Sequence, residues 1–194
     1  MKCISLIIYA IIIYKGECSM EKLILKPIMT TEDKSIFIKE IQEAFQNSYI
    51  QEFGDYEKII LPTEDIEESF QTNGSEAYIA EIDGKRVGGT IIVVDEETGY
   101  NSLHLLYVKL DSQNSGNGYK IWQAIEELHP ETKIWETHTP YYDKRNIHFY
   151  INRCGFKIVE FFHSKHKDSH QTGESIGNIP KENNCFFRFE KEMN

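Results

Sequence analysis

Residues 113–118 read QNSGNG and lie inside LHLLYVKLDSQNSGNGYKIWQAIEEL, residues 103–128. The apolar run before the loop predicts a strand, and Ile121, Trp122 and Ile125 recur after it at helical spacing. Glycines between a strand and a helix permit close backbone approach, and the first helical turn leaves amide groups without intrahelical partners. The loop is therefore a candidate anion site, although a plain structural turn fits the same letters.

Spacing excludes two common phosphate-binding motifs. No Lys-Ser or Lys-Thr pair follows Gly118, as a Walker A loop requires. The dinucleotide-binding fingerprint needs a third glycine and an acidic residue at the end of a second strand, which are missing here. The elements around the loop must therefore decide what it binds.

Short strand and helix patterns alternate along the chain. Strands are predicted over residues 22–28, 77–82, 86–95, 100–110, 133–138, 156–162 and 185–190. Helices are predicted over residues 30–49, 62–70, 119–128 and 144–153, with Thr63 as the cap of the second. Asp83-Gly84 is typical of a tight hairpin. Several strands follow one another without a crossover, which predicts a mixed α/β sheet rather than a doubly wound one.

Composition indicates one globular domain. The chain has 194 residues, of which 40% are hydrophobic and 27% charged. Its net charge of −10 argues against nucleic-acid binding and favours cationic small molecules or basic peptide ends. The four cysteines, Cys3, Cys18, Cys154 and Cys185, have neither metal-site nor disulfide-framework spacing. Reduced thiols in the cytoplasm fit best, and no metal is expected.

The first 19 residues form a hydrophobic terminus with three open interpretations. The apolar run over residues 3–14 is shorter than the roughly 20 residues that a spanning helix needs. As a signal peptide it would have a single basic residue, Lys2, and no small-residue cleavage site. Lys15-Gly16-Glu17 can be encoded by AAAGGAGAA, a ribosome-binding sequence before Met20. A mis-assigned start, a signal and an anchor all remain open.

A second motif, NIHFYINRCGF at residues 146–156, follows QNSGNG in the chain, and the two motifs together resemble the GNAT superfamily of N-acetyltransferases. The acetyl-CoA signature of that family is a strand, then Gln/Arg-x-x-Gly-x-Gly/Ala, then a helix, as in QNSGNG at residues 113–118. Its second signature, Asn-x-x-apolar-Tyr ending in Gly-Phe, is matched by NIHFYINRCGF at residues 146–156. The resemblance covers residues 21–191. It implies a mixed, mostly antiparallel twisted sheet of about seven strands flanked by about four helices, in one N-acetyltransferase domain over residues 21–194.

The resemblance implies that acetyl-CoA binds along the loop and the strand before it. The backbone amides that would hold the pyrophosphate are those of Gln113, Asn114, Ser115, Gly116, Asn117, Gly118 and Tyr119. The backbone of Leu106, Tyr107 and Val108 would pair with the pantetheine arm, and Asn146 would hydrogen-bond the cofactor. Ser115 and Tyr119 replace residues that are often basic or small in the family, so backbone donors should dominate the binding.

Tyr150 matches the frequent general acid of the family. A phenol has a reference pKa near 10 and a thiol one near 8.5, so Tyr150 could protonate a departing CoA thiolate. A purely packing role for its ring is the alternative. Ser102 stands where many relatives place a glutamate base. His104 lies on the same strand face and titrates near neutrality, while Glu136, His138 and a water chain remain alternative bases.

The expected reaction moves an acetyl group from acetyl-CoA to a primary amine of a small molecule or peptide. The acceptor pocket is expected between the insert at residues 164–184 and four aromatic residues that fit a core equally well: Phe45, Tyr49, Phe53 and Tyr56. A CoA-binding sensor or interaction module is the alternative function. A homodimer is an open alternative, nucleic acid is not expected as a partner, and membrane association is not favoured.

Overall fold

The computed structural model describes residues 23–167 and 177–193. The predictions for residues 1–19, with Cys3 and Cys18, lie outside the described residues, as does the insert from 168 to 176. The described chain forms one sheet in the order β1-β2-β3-β4-β5-β7-β6. Its strands are β1 (Leu23–Pro27), β2 (Ser75–Ile82), β3 (Lys85–Val93), β4 (Tyr100–Val108), β5 (Ile134–Pro140), β6 (Lys157–Phe162) and β7 (Phe186–Glu192). Only β4 and β5 pair in parallel, so the predicted mixed, mostly antiparallel seven-stranded sheet is confirmed.

Four α-helices flank the sheet: α1 (Thr31–Phe53), α2 (Thr63–Gln71), α3 (Asn117–Leu128) and α4 (Lys144–His148). Thr30 caps α1, and its Oγ1 accepts from the amide of Asp33 at 3.0 Å. The helix runs past the predicted end at residue 49 and stops at Gly54, whose φ is 85°. The prediction of Thr63 as a cap is wrong, because Thr63 is the first helical residue of α2.

Helices cover both faces of the sheet. On one face α3 packs over the strands through Ile121, Trp122 and Ile125, and Trp122 meets Trp135 of β5 edge to face at 5.4 Å. On the other face α1 and α2 bury Phe37, Ile41 and Ile66 against the central strands. Within residues 23–167 and 177–193, no helix combines the length and apolarity that a membrane span needs.

The sheet opens between β4 and β5. Their parallel pairing extends only from Tyr100 to Leu103 on β4, and the two strands separate beyond that point. A β-bulge coincides with the opening: Ile91 of β3 faces Leu105 and Ile92 faces Leu103, so His104 is the extra residue. Bulges redirect side chains and often lie beside active sites. The opening and the bulge together place His104 at the mouth of the gap.

The helix that carries the second signature is irregular as well. The sequence predicts one helix over residues 144–153, but α4 ends at His148 and a π-helical turn follows, Phe149–Cys154. The carbonyl of Tyr150 accepts from the amides of Gly155 and Phe156, and Gly155 has the predicted left-handed φ, 82°. The wider turn places Tyr150 inside the molecule, against Phe156 and Phe189.

Candidate active site

A cavity of about 480 Å³ occupies the gap between β4 and β5. One end is formed by the glycine loop and the start of α3. The other end is formed by α1, the loop before α2 and the start of β7. His104, Tyr150 and residues 105–108 lie along the walls between these ends. The structure thus brings both sequence signatures to one cavity.

The glycine loop presents backbone donors to one end of this cavity. Asn114 and Gly116 have left-handed φ values of 62° and 76°, which turn the chain sharply before α3 begins at Asn117. Among the described residues, no side chain caps this helix, so its first-turn amides are available to a ligand. The side-chain amide of Asn117 donates to the backbone oxygen of Ser112 at 2.9 Å and thereby stabilises the loop. All of the predicted loop residues except Ser115 line the cavity.

The end of β4 offers an open backbone edge to the cavity. Leu106 and Val108 pair with β3 on one side, at Thr90 and Gly88, and no strand of the described residues pairs with them on the side facing β5. The side chain of Tyr107 instead points to α1, where its hydroxyl donates to Glu40 at 2.8 Å. An extended ligand could therefore add to β4 as a strand would.

Two arginines that the sequence interpretation missed lie at the loop end of the cavity. Arg145 hydrogen-bonds the side-chain carbonyl of Gln113, and Arg153 lies over the Tyr119 ring at 5.3 Å. Both belong to the segment of the second signature, one residue before Asn146 and three after Tyr150. Charged donors strengthen phosphate binding, so these two arginines are candidates for that role beside the backbone donors.

Asn146 lines the cavity at the start of α4, and Asp143 holds it in place. Its backbone amide donates to Oδ1 of Asp143 and its side-chain amide to Oδ2, each at 2.9 Å. Ser48 of α1 donates to the same Oδ2 at 2.9 Å. Asp143 is therefore the helix cap, and it joins the segment of the second signature to α1.

Tyr150 lies in the wall between the two ends of the cavity and is only 5% exposed. Burial raises the pKa of its phenol well above the usual range, while hydrogen bonds with Thr137 and Thr139 partly oppose that rise. The hydroxyl is therefore protonated at neutral pH, as a proton donor must be. Phe149 and Phe156 hold the ring in place.

His104 lies on the opposite wall and is accessible through the cavity. Desolvation lowers the pKa of its imidazole below the ordinary 6.5, and the charge of His138 nearby lowers it further. His138 also lines the cavity. Glu136 is outside the lining, where Tyr100 and Arg188 donate to its carboxylate at 2.8 and 3.0 Å. Ser102 does not line the cavity either, so two of the sequence candidates for a base share it: His104 and His138.

Comparison with known proteins places this arrangement in a family. A model described as the acetyltransferase (GNAT) family matches residues 38–156, more than half of the chain. The chain belongs to the GNAT acetyltransferase family. The matched range contains the glycine loop, the opening of the sheet and the π-helical turn. The family model therefore spans both strands, β4 and β5, that border the gap.

This GNAT chain is similar to one curated relative and to many solved structures. YrkN of Bacillus subtilis strain 168, an uncharacterized protein, is 40% identical over 89% of this chain and 95% of its own length. A GNAT family acetyltransferase from Elizabethkingia anophelis with acetyl-CoA bound is 14% identical, with a TM-score of 0.61 over 88% and 97% of the two chains. The spermidine N-acetyltransferase of Vibrio cholerae, in complex with CoA and spermine, is 12% identical, with a TM-score of 0.60 over 88% and 95%.

The four aromatic residues expected around an acceptor lie in three places in this GNAT domain. Phe45 of α1 lines the cavity. Tyr49 and Tyr56 pack instead in a neighbouring cluster with Tyr142 and Ile60, and Phe53 is 43% exposed at the end of α1. Of the expected insert, Ile179 lines the cavity. Of the four rings, Phe45 is therefore the one that lines the cavity.

Proposed function

We propose that the chain is an acetyl-CoA-dependent N-acetyltransferase that acts on a primary amine of a small molecule or peptide. One observation carries the proposal: a single cavity joins an anion-binding loop, an open strand edge, a buried tyrosine and a histidine with a lowered pKa. Acetyl transfer to an amine uses a held cofactor, a polarised carbonyl, a proton acceptor for the amine and a proton donor for the leaving thiolate, and these four features could supply them. Free Cys154 and Cys185 support the cytoplasmic location that is part of the proposal.

In this proposal the loop amides, with Arg145 and Arg153, hold the pyrophosphate of CoA. The open edge of β4 aligns the pantetheine arm, and a β4 amide polarises the thioester carbonyl. His104 accepts a proton from the acceptor amine, whose nitrogen forms a bond to the acetyl carbon. Tyr150 donates its proton to the sulfur as the carbon–sulfur bond breaks, and solvent then carries the proton from His104 back to the Tyr150 phenolate. The products are the acetylated amine and CoA in its thiol form.

Free-thiol release from acetyl-CoA, measured with a broad panel of primary amines, tests the proposal. We expect amine-dependent thiol release and an amide product of matching mass. A protein that binds CoA tightly and releases no thiol with any amine would instead be the sensor or interaction module, which the serine at position 102 favours. Thiol release without an acetylated product would also contradict transfer.

Gly116→Val is expected to weaken CoA binding about 10- to 100-fold in calorimetry. A β-branched residue disfavours the φ of 76° at this position, and its side chain would stand in front of the loop amides. Gly54→Val is the matched control, because Gly54 also has a positive φ and open space around it but lies at the far end of α1. Equal CoA affinity in the two variants would contradict the role of the loop.

The pH dependence of kcat/KM should reflect His104. Because the folded protein lowers its pKa, the imidazole is neutral at pH 7 and gains its proton only as pH falls below its ordinary range. We expect kcat/KM to fall on the acid side and His104→Gln to lower it about 10- to 100-fold with loss of that acid limb. His163→Gln, which changes a histidine outside the cavity lining, is the control. An unaltered profile in His104→Gln would exclude His104 as the base.

A further inference from the structure

A short segment within the insert at residues 164–184 closes the end of the cavity away from the glycine loop. Residues 177–179, here called the strap, cross the loop that precedes α2. The amide of Asn178 donates to Ile60 O at 3.0 Å, and its side chain donates to Ile59 O at 2.8 Å. The Tyr56 hydroxyl donates to Asn178 O at 3.0 Å. Hydrogen bonds on both sides therefore fix the strap across this loop.

Gly177 and Asp65 fix the start of the strap. The amide of Gly177 donates to Oδ2 of Asp65 in α2 at 2.9 Å. Its φ is 63°, and a Cβ at this position would lie 2.2 Å from the backbone oxygen of Ile60. Only glycine fits this approach without a shift of the backbone. The strap therefore has a defined position, and so does Ile179 at its end.

The strap adds an apolar wall to the cavity. Ile179 is 6% exposed and packs in one cluster with Ile60, Tyr142 and Phe186, all of which line the cavity together with Phe45 of α1. We call these five side chains the apolar end. Contact between apolar surfaces such as these and an apolar substituent is favourable, because it removes both from water.

In the described part of the chain, the carboxylates in and near the cavity already interact with neighbouring side chains. Among the described residues, Asp143 is the one carboxylate that lines the cavity, and its oxygens accept from Ser48 and Asn146. Three further glutamates gather around Arg188 on β7, outside the lining: Glu136, Glu160 and Glu190. The net charge of −10 for the whole chain is therefore not a guide to the charge at the apolar end.

From these contacts we infer that the acceptor is a primary amine with an apolar substituent, and that Ile60 and Ile179 select it. This inference rests on the proposed function. The amino group would face His104, while an alkyl or aryl substituent of the acceptor fills the apolar end. A substituent that ends in a second ammonium group would lose hydration there, and Asp143, the one described carboxylate of the lining, already accepts from Ser48 and Asn146. Diamines and polyamines are then poor acceptors.

The test compares two amines of equal length on the full chain. n-Hexylamine and 1,5-diaminopentane have the same number of non-hydrogen atoms and differ by a terminal methyl group in place of a terminal ammonium group. We expect kcat/KM for n-hexylamine to exceed that for 1,5-diaminopentane about 10- to 100-fold. Equal or better use of the diamine would overturn the apolar class while leaving amine acetylation in place. If the protein binds CoA but acetylates neither amine nor any other amine of the panel, the proposed function fails, and this inference fails with it.

Variants in the apolar end test the selecting residues. Ile179→Ala is expected to lower kcat/KM for n-hexylamine about 10-fold and to leave KM for acetyl-CoA unchanged. Ile59→Ala is the matched control, because Ile59 is adjacent to Ile60 but 52% exposed and outside the lining. An unchanged n-hexylamine to diaminopentane ratio in both Ile179→Ala and Ile60→Ala, each checked for an intact thermal transition, would exclude selection by these residues.

Discussion

Replacing Tyr150 by phenylalanine is expected to lower kcat about 100- to 10,000-fold, which is the range for loss of a general acid. Phenylalanine keeps the ring packed between Phe149, Phe156 and Phe189, so the fold should persist. It removes the one proton that the mechanism assigns to the departing sulfur. Affinity for CoA should change little, because the loop and β4 hold most of the cofactor. Steady-state kinetics, with calorimetry of CoA binding, measure both quantities.

Tyr78→Phe is the control for this change. Tyr78 is also a hydrogen-bonded tyrosine, but it lies on β2, where its hydroxyl donates to Glu76 outside the cavity lining. It should retain the kcat of the unmodified chain. If Tyr150→Phe turned over as fast as Tyr78→Phe, the phenol would have a packing role and another group would protonate the thiolate.

Gly88→Ala is expected to reduce the free energy of unfolding by about 3 kcal/mol, at the upper end of the range for overpacked sites. A Cβ there would lie 2.3 Å from the backbone oxygen of Tyr107 and 3.1 Å from Cδ1 of Ile121. The first contact involves backbone, so β3 and β4 would have to move apart. Urea unfolding of the parent chain and of Gly88→Ala measures the difference in the free energy of unfolding.

Gly118→Ala is the comparison for stability. Its Cβ would meet only the side chains of Phe149 and Val108, each at 3.4 Å, which is ordinary contact. Because alanine is the better helix former, this variant should unfold at nearly the same urea concentration as the parent. Similar losses in the two alanine variants would show that contact distance at Gly88 does not determine the effect.

Much of the fold could be predicted from short patterns. Alternating apolar residues located the strands, and Asp83-Gly84 located a hairpin with both residues at positive φ. These features depend on neighbours in sequence, which a single chain displays. The length of α1 was underestimated because its last turn contains residues that also read as a loop, and its packing against Tyr142 is visible only in three dimensions.

The site was predicted less completely, because two of its features are insertions into regular elements. The bulge at His104 changes the alternation of β4, and the π-helical turn at Tyr150 changes the face of its helix. Neither the bulge nor the π-helical turn can be detected from the amino-acid composition. The link from Asp143 to α1 could not be predicted, because its partner Ser48 lies 95 residues away in sequence. Ile179 lies in the insert that was expected to border the pocket, but its packing against Ile60 is visible only in three dimensions.

The opening between β4 and β5 also affects how the free chain meets other chains. A seven-stranded sheet whose strands were paired along their whole length would have edges only at β1 and β6. The opening adds two short edges in the interior of this sheet. Exposed strand edges are where chains pair wrongly and aggregate. In the proposed complex the pantetheine arm would cover the edge of β4. The cosubstrate that supplies the acetyl group would then also protect the protein from self-association.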